Sequence, residues 1–390
     1  MSTRRALARV NLAAIEHNCA RLCSTLEDGV QLCAVVKANG YGHGALQSAR
    51  AALAGGASWL AVAGSTEALE LRDSGIADVP ILVMGALSEL ELSEALSAQA
   101  DIVVWHEPFL ELIAELGGGR VHVKLDSGMG RLGTRDPLAA SEVAAAAASM
   151  PELQLAGIMT HFATADDLEE DFFDRQLACF QRWAQSVKRK YPDVLIHAAN
   201  SAGTLREPQA HFDMVRCGVA IYGMDPFGED PLAQGLRPAL ELHSYLAEVK
   251  HTEVGQSTGY GRRFIAARET HLGVLPIGYG DGWRRGLSEN ADVLIDGRRY
   301  PLVGTVSMDN IAVDLGPDPD AVSLRGRPAV LIGAGGDERV TAEELAERLD
   351  TINYEITCGL TARVPRFYHH DEIPVRPAGP PSPSDYTPAP

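Results

Sequence analysis

Lys37 closes an apolar run, QLCAVV, and opens Ala38-Asn39-Gly40-Tyr41-Gly42-His43-Gly44, a stretch with three glycines. An amine at the mouth of a buried strand loses solvation, which depresses its pKa and makes it a nucleophile or base toward carbonyl compounds. A lone lysine there is more often a snorkelling strand end. Further polar residues close other apolar runs in the same way: Lys124 and Asp126 with Arg131 in VHVKLDSGMGRLG, Thr160-His161 in GIMTHF, Asn200-Ser201 in HAANS, and Arg216 in MVRC. Two lysines, two arginines, a histidine and a serine on one rim would form a positive site. The chain itself carries 34 basic and 52 acidic residues, a formal charge of −18. A local reversal of that sign implies an anionic ligand. Arg216-Cys217-Gly218-Val219, with Ser201 adding a hydroxyl, has the composition of a backbone phosphate cradle. An imine-forming lysine beside a phosphate cradle points to pyridoxal 5'-phosphate.

The elements that must hold these residues follow from the pattern of apolar runs. From residue 31 to about 216 eight such runs recur: QLCAVVK, SWLAVAG, PILVMG, DIVVW, RVHVKLD, LAGIMTHF, LIHAANS and DMVR. Between them lie segments of helical periodicity such as DPLAASEVAAAAASM. Short apolar runs alternating with helices indicate parallel strands with crossover helices, and eight repeats predict a (β/α)8 barrel of the TIM type. Such barrels build their sites at the C-terminal ends of the strands, where the polar residues above fall. No GxGxxG follows the first strand, which weakens a dinucleotide-binding reading.

After Leu236-Arg237-Pro238 the texture changes to alternating, glycine-punctuated runs. Asp296-Gly297 between VLI and RRYPLV predicts a tight hairpin. Thr341 and Glu344 in TAEELAERL predict a capping box on the one helix expected there. The expected organisation is therefore a cofactor-binding barrel over 1–236, a mostly antiparallel β domain over 237–378, and a disordered proline-rich tail over 379–390.

Other function classes are disfavoured. The acidic balance argues against nucleic-acid or anionic-membrane surfaces, and no apolar run approaches the ~20 residues of a membrane span. The six cysteines form no CxxC pair, and Cys19 and Cys23 read as core packing. With no signal-like N-terminal core, a cytoplasmic location is expected. His369-His370-Asp371 reads as surface, and no metal is expected.

The motifs AVVKANGYGHG, VHVKLDSGMGRLG, GIMTHFATAD, HAANSAG, VRCGVAIYG, GYGRRF, PIGYGDGW, VGTVSMDNIAVDL, TINYEITC and RVPR stand in this order from about Arg9 to Tyr368. In that order and spacing the chain resembles the bacterial alanine racemases. The resemblance implies a dependence on pyridoxal phosphate, with Lys37 holding the cofactor as an internal aldimine. It implies a two-base interconversion of L- and D-alanine through an external aldimine, supplying D-alanine for peptidoglycan. Lys37 would serve the D-face of Cα and Tyr260 the L-face. A tyrosine with its usual pKa near 10 is a poor base, so Tyr260 needs help, which the family draws from the residues matching His161 and Arg216. Arg216 would also face the pyridine nitrogen, leaving it an acceptor only. The phosphate would be held by Tyr41, Ser201, Gly218, Val219 and Tyr354, next to Asn200. Arg131 and Met308 would border the substrate carboxylate, with Tyr279 and Asp309 at the entrance. Lys124 matches a lysine often carbamylated; the equal alternative is an unmodified lysine paired with Asp126. A homodimer is implied, with Tyr260, Tyr279, Met308, Asp309 and Tyr354 coming from the other chain. Gly280 and Asn11 depart from the usual alanine and aspartate.

Three other activities fit parts of the pattern. A decarboxylase sharing the barrel would lack Tyr260, and a non-catalytic cofactor carrier or a lysine-dependent aldolase would leave the second domain unexplained. A racemase of broader specificity stays open.

Overall fold

The computed structural model describes residues 4–375. The tail expected at 379–390 lies outside the described residues. The chain divides into two compact units: one holds Ile15–Tyr41 and Ala45–Ile221, the other Gly42–Gly44 with the described residues up to Ala14 and from Tyr222 onward.

In the first unit the eight expected strands form a closed parallel barrel, as the sequence predicts. They are Gln31–Val35, Trp59–Val62, Ile81–Val83, Asp101–Val104, Gly119–Lys124, Leu153–Met159, Leu195–His197 and Met214–Cys217. Closure is made between the first and last, with Cys33 opposite Arg216. Strands such as Trp59–Val62 and Ile81–Val83 are buried along their whole length. Burial on both faces explains why they read as continuous apolar runs and not as alternation. The helix Phe172–Lys190 shows how the outer ring is attached. Phe173, Leu177, Phe180, Trp183, Ala184 and Val187 lie on its buried face, each large apolar side chain contributing about 1.5–3 kcal/mol. Its last turn carries Lys188, Arg189 and Lys190, which suits the negative end of the helix dipole. The helix Pro137–Ser149 instead turns Ala140, Val143, Ala144 and Ala147 inward, and Asp136 caps it through the Leu138 N–H at 2.9 Å.

The second unit is a sheet with strand order Glu248–Thr252, Thr270–Leu275, Ile311–Gly316, Arg298–Val303, Asp292–Ile295, Pro328–Gly335, Leu240–Tyr245, Leu7–Asn11, Arg366–His370 and Ile373–Pro374. All its neighbours pair antiparallel except Leu7–Asn11 with Arg366–His370. The first strand thus belongs to this sheet and not to the barrel, and Tyr222 to Leu236 also cluster here, ahead of the expected boundary. The Asp296-Gly297 hairpin forms, with both residues at positive φ (47° and 78°), as a type I′ turn requires.

Three local expectations need correcting. Thr341 caps its helix through the Glu344 N–H at 3.0 Å, but the Glu344 carboxylate pairs with Arg299 and Arg348, so the box is only half made. A second helix, Asn353–Cys358, stands where only one was expected. His369 is buried at 3% exposure instead of lying on the surface.

Candidate active site

Lys37 lies two residues past the first barrel strand and is half-buried. The four residues after it, Ala38, Asn39, Gly40 and Tyr41, all have left-handed φ, at 52°, 52°, 61° and 53°. Such a turn costs about 1–2 kcal/mol for each non-glycine residue, so other bonds must hold it. Gly40 N–H donates to Val36 O at 2.9 Å, and Asn39 Oδ1 accepts from Ala45 N–H at 3.0 Å. The Glu67 carboxylate accepts from Ala38 N–H at 2.6 Å and from Ala63 N–H at 2.7 Å, tying the ends of the first two strands together. Strain held this firmly is characteristic of functional turns.

The turn delivers Tyr41 to the last strand. A Cβ on Gly218 would sit 2.3 Å from Tyr41 Oη, so only glycine leaves the phenol room. Buried Ser201 accepts from Gly218 N–H at 3.1 Å and Ala220 N–H at 3.3 Å. Asn200 caps the helix Ser201–Arg206 through Gly203 N–H at 2.9 Å. Tyr41, Ser201, Gly218 and the following Val219 therefore form one contiguous group.

Arg216 stands beside it, 3% exposed. Its Nη atoms bond His197 Nδ1 at 2.8 Å, Thr160 O at 2.8 Å, Ala198 O at 2.9 Å and His161 Nδ1 at 3.2 Å. Its Nε–H is buried with no partner among the described residues. Burial lowers the guanidinium to about 10, which still leaves it charged at neutral pH. His161 is pushed well below its usual value by burial, then by the cations Arg216, Lys124, Arg131 and Lys37. It is therefore neutral, and because arginine only donates, the imidazole proton sits on Nε2.

Lys124 ends the fifth strand, 3% exposed, and its side-chain amine has no hydrogen bond or ion pair among the described residues. Burial and then Arg216, Arg131 and Lys37 lower its amine to about 8, while Asp126 pulls the other way. Asp126 is engaged elsewhere, accepting from Gly128 and Gly130 N–H and from Arg135 Nε at 3.3 Å. That clamp shapes the loop presenting exposed Arg131.

The remaining residues occupy the second unit. Tyr260, 75% exposed, is held by its backbone, with Thr305 Oγ1 donating to Tyr260 O at 2.8 Å. Tyr279 N–H donates to Ser307 O at 3.0 Å and Gly280 N–H to Met308 O at 2.9 Å, knitting that turn to Met308-Asp309. Tyr279 and Met308 are 42% and 51% exposed. Asp309 accepts from Arg363 at 2.6 Å. An alanine at Gly280 would meet the flexible Arg363 end at 2.2 Å, and Met308 at 3.1 Å from its O and 3.2 Å from its Cγ. Asn11 donates to Asp371 at 3.1 Å, a bond an aspartate there would lose. Tyr354 is half-buried on the helix Asn353–Cys358.

Glu67, Asp101, His122 and His197 were not expected. His122 lies two residues before Lys124 in the same strand, so both face the same side; that spacing was the available signal.

A closed parallel barrel carrying Lys37, Lys124, His161 and Arg216 at its strand ends beside a glycine-serine-tyrosine cradle, followed by a mostly antiparallel β unit, is the build of a barrel enzyme with a cationic rim. Residues 10–226 match the family profile of the alanine racemase N-terminal domain, and residues 239–368 that of the C-terminal domain. The alanine racemase of Geobacillus stearothermophilus is 42% identical over 373 residues, covering 94% of each chain. That of Listeria monocytogenes serotype 1/2a (strain 10403S) is 40% identical over 363 residues, covering 93% of this chain and 97% of its own. The crystal structure of alanine racemase from Bacillus anthracis with bound L-Ala-P superposes with a TM-score of 0.87 at 36% identity, over 96% of this chain and 97% of that one. The chain belongs to the alanine racemase family, whose members are pyridoxal-phosphate-dependent isomerases.

Proposed function

We propose that this protein interconverts L- and D-alanine by a two-base mechanism with pyridoxal 5'-phosphate, supplying D-alanine for peptidoglycan in the cytoplasm. The observation that carries the reading is Arg216: a buried guanidinium with one unpartnered N–H, beside a cradle of small and hydroxyl-bearing residues. The residues fit the cofactor. Arg216 Nε–H suits a ring nitrogen held as an acceptor. Tyr41, Ser201, Gly218 and Val219, with Tyr354 and flanked by Asn200, suit a phosphate. Lys37 supplies the amine that takes up the aldehyde.

Joined to the substrate amine, the cofactor supplies the electron sink that makes the α-proton acidic. An arginine at the ring nitrogen makes that sink weaker than a carboxylate would, which favours prompt return of the proton over side reactions. Lys37 moves the proton on the D-face and Tyr260 on the L-face. The Nε2–H of His161 is the donor that would hold Tyr260 as a base. Arg131 receives the substrate carboxylate next to the backbone of Met308, and Tyr279 and Asp309 line the approach. The exposure of Tyr260, Tyr279 and Met308 on the second unit supports a homodimer in which each chain lends these residues, with Tyr354, to the other's barrel.

Substrate choice is tested by comparing kcat/KM for L-alanine, L-serine, L-lysine and L-arginine. Alanine should lead, with serine slow; a basic amino acid ahead of alanine would overturn the assignment.

Lys124 is proposed to be carbamylated. A buried amine lowered to about 8, without an anionic partner and among three other cations, gains most by becoming negative. Its new charge would orient Arg131. In protein exchanged with 13C-bicarbonate, a carbamate carbon resonance should appear, strengthen as pH rises toward 8, and be absent in Lys124→Ala. That variant should bind substrate roughly tenfold more weakly, the loss of one charged hydrogen bond.

A further inference from the structure

Arg216 is the last member of a buried line of polar side chains running through the barrel. His197 Nε2 lies 2.8 Å from His122 Nδ1, and His122 Nε2 lies 2.9 Å from Asp101 Oδ2. Asp101 also takes Arg120 Nε at 3.0 Å, and Arg120 reaches Gln154 Oε1 at 3.0 Å. Asp101 is 2% exposed, and His122 and His197 are fully buried.

The chemistry of the two ends sets the direction of every proton between them. A guanidinium has no lone pair to offer, so His197 Nδ1 must accept from Arg216 and the His197 proton sits on Nε2. Burial and the Arg216 charge keep His197 well below its usual pKa, hence neutral. Its Nε2–H then donates to His122 Nδ1, which places the His122 proton on Nε2, directed at Asp101. Asp101 accepts as a carboxylate. Although burial opposes its ionisation, the bonds from His122 and Arg120 hold its pKa below the usual value. No other proton arrangement satisfies all three contacts while arginine remains the donor.

We propose that Asp101, acting through His122 and His197, is a positioning residue that fixes the Arg216 guanidinium and so reserves its Nε–H for the ring nitrogen of the cofactor. The line joins a buried cation to a buried anion through two imidazoles, each held in one tautomer. Without it Arg216 keeps two carbonyls and His161 but loses the bond to its other Nη, leaving the plane of the guanidinium less constrained. The inference rests on the cofactor reading for its catalytic meaning. The proton order is a property of the polypeptide alone.

The first test is therefore made without cofactor. In cofactor-free protein labelled with 15N-histidine, His122 and His197 should both show a bare Nδ1 and a protonated Nε2 at neutral pH. Either ring with its proton on Nδ1, or on both nitrogens, overturns the proposal even if the cofactor reading stands. The second test compares Asp101→Asn, which keeps an acceptor oxygen, with Asp101→Leu, which removes it. With ring-15N pyridoxal phosphate bound, the ring resonance should stay in place in Asp101→Asn. In Asp101→Leu it should move toward that of an unbonded pyridine, with kcat down roughly ten- to a hundredfold, as for other outer supports of a site, and KM little changed. An unmoved resonance in a folded Asp101→Leu protein would overturn the proposal. Should Asp101→Leu fail to fold, the tautomers of the unaltered protein still decide.

Discussion

Racemisation by Tyr260→Phe should fall by roughly 10²–10⁴-fold in both directions, the range for losing one acid–base group. The α-proton of D-alanine should nevertheless keep exchanging with solvent deuterium. Inverting Cα requires a proton to leave one face and another to arrive on the opposite face, so removing one of two bases stops inversion without stopping exchange on the other side. With Lys37 intact, D-alanine can lose and regain its proton on the same face and return as deuterated D-alanine. L-alanine should exchange far more slowly. Proton NMR in deuterium oxide reads all of this in one experiment, and the cofactor spectrum should be unchanged. The substitution should be nearly silent for folding, because Tyr260 is 75% exposed and the turn is held through its carbonyl by Thr305. Equal exchange of both enantiomers in Tyr260→Phe would mean one base serves both faces, and the pairing of Lys37 with Tyr260 would be abandoned.

What could be read from the sequence follows from how local each signal is. The eight barrel strands were legible because a parallel strand buried on both faces leaves an uninterrupted apolar run. The polar residues ending five of those runs, from Lys37 to Arg216, then marked the rim. The strand Leu7–Asn11 was not legible as part of the second unit. Its own pattern, with Ala8 and Val10 inward, fits any sheet, while its partners Leu240–Tyr245 and Arg366–His370 lie far along the chain, beyond the whole barrel. Glu344 was expected to fold back on its own helix, but two arginines, one from a distant strand, outcompete the backbone N–H. Asp101, His122 and His197 escaped for a related reason. Asp101 and His197 are single polar residues in apolar strands, His122 sits between Arg120 and Lys124 in its own, and only barrel closure brings the three into line. Glu67 is likewise an ordinary helix glutamate until the structure shows it holding the turn beside Lys37.

Two amines share the rim, and the reaction needs to choose between them. Burial and the neighbouring cations lower the Lys124 amine to about 8, which by itself would make it a candidate nucleophile. Position favours Lys37. It precedes the left-handed turn that sets Tyr41 against Gly218, whose N–H bonds Ser201, so it is tied through four residues to the proposed phosphate cradle, whereas Lys124 leads into the Asp126 clamp and Arg131. Lys37→Ala should therefore abolish the absorbance of covalently held cofactor and reduce turnover by at least roughly 10³-fold, since both the attachment and one base are lost. Cofactor should still associate, because Arg216, Ser201 and Tyr41 remain. Borohydride reduction of the unaltered protein, followed by peptide mass analysis, should place the pyridoxyl group on Lys37. In Lys124→Ala the label should stay where it was. A label on Lys124, or an undiminished band in Lys37→Ala, would exchange the roles of the two lysines and leave Tyr260 without its proposed counterpart.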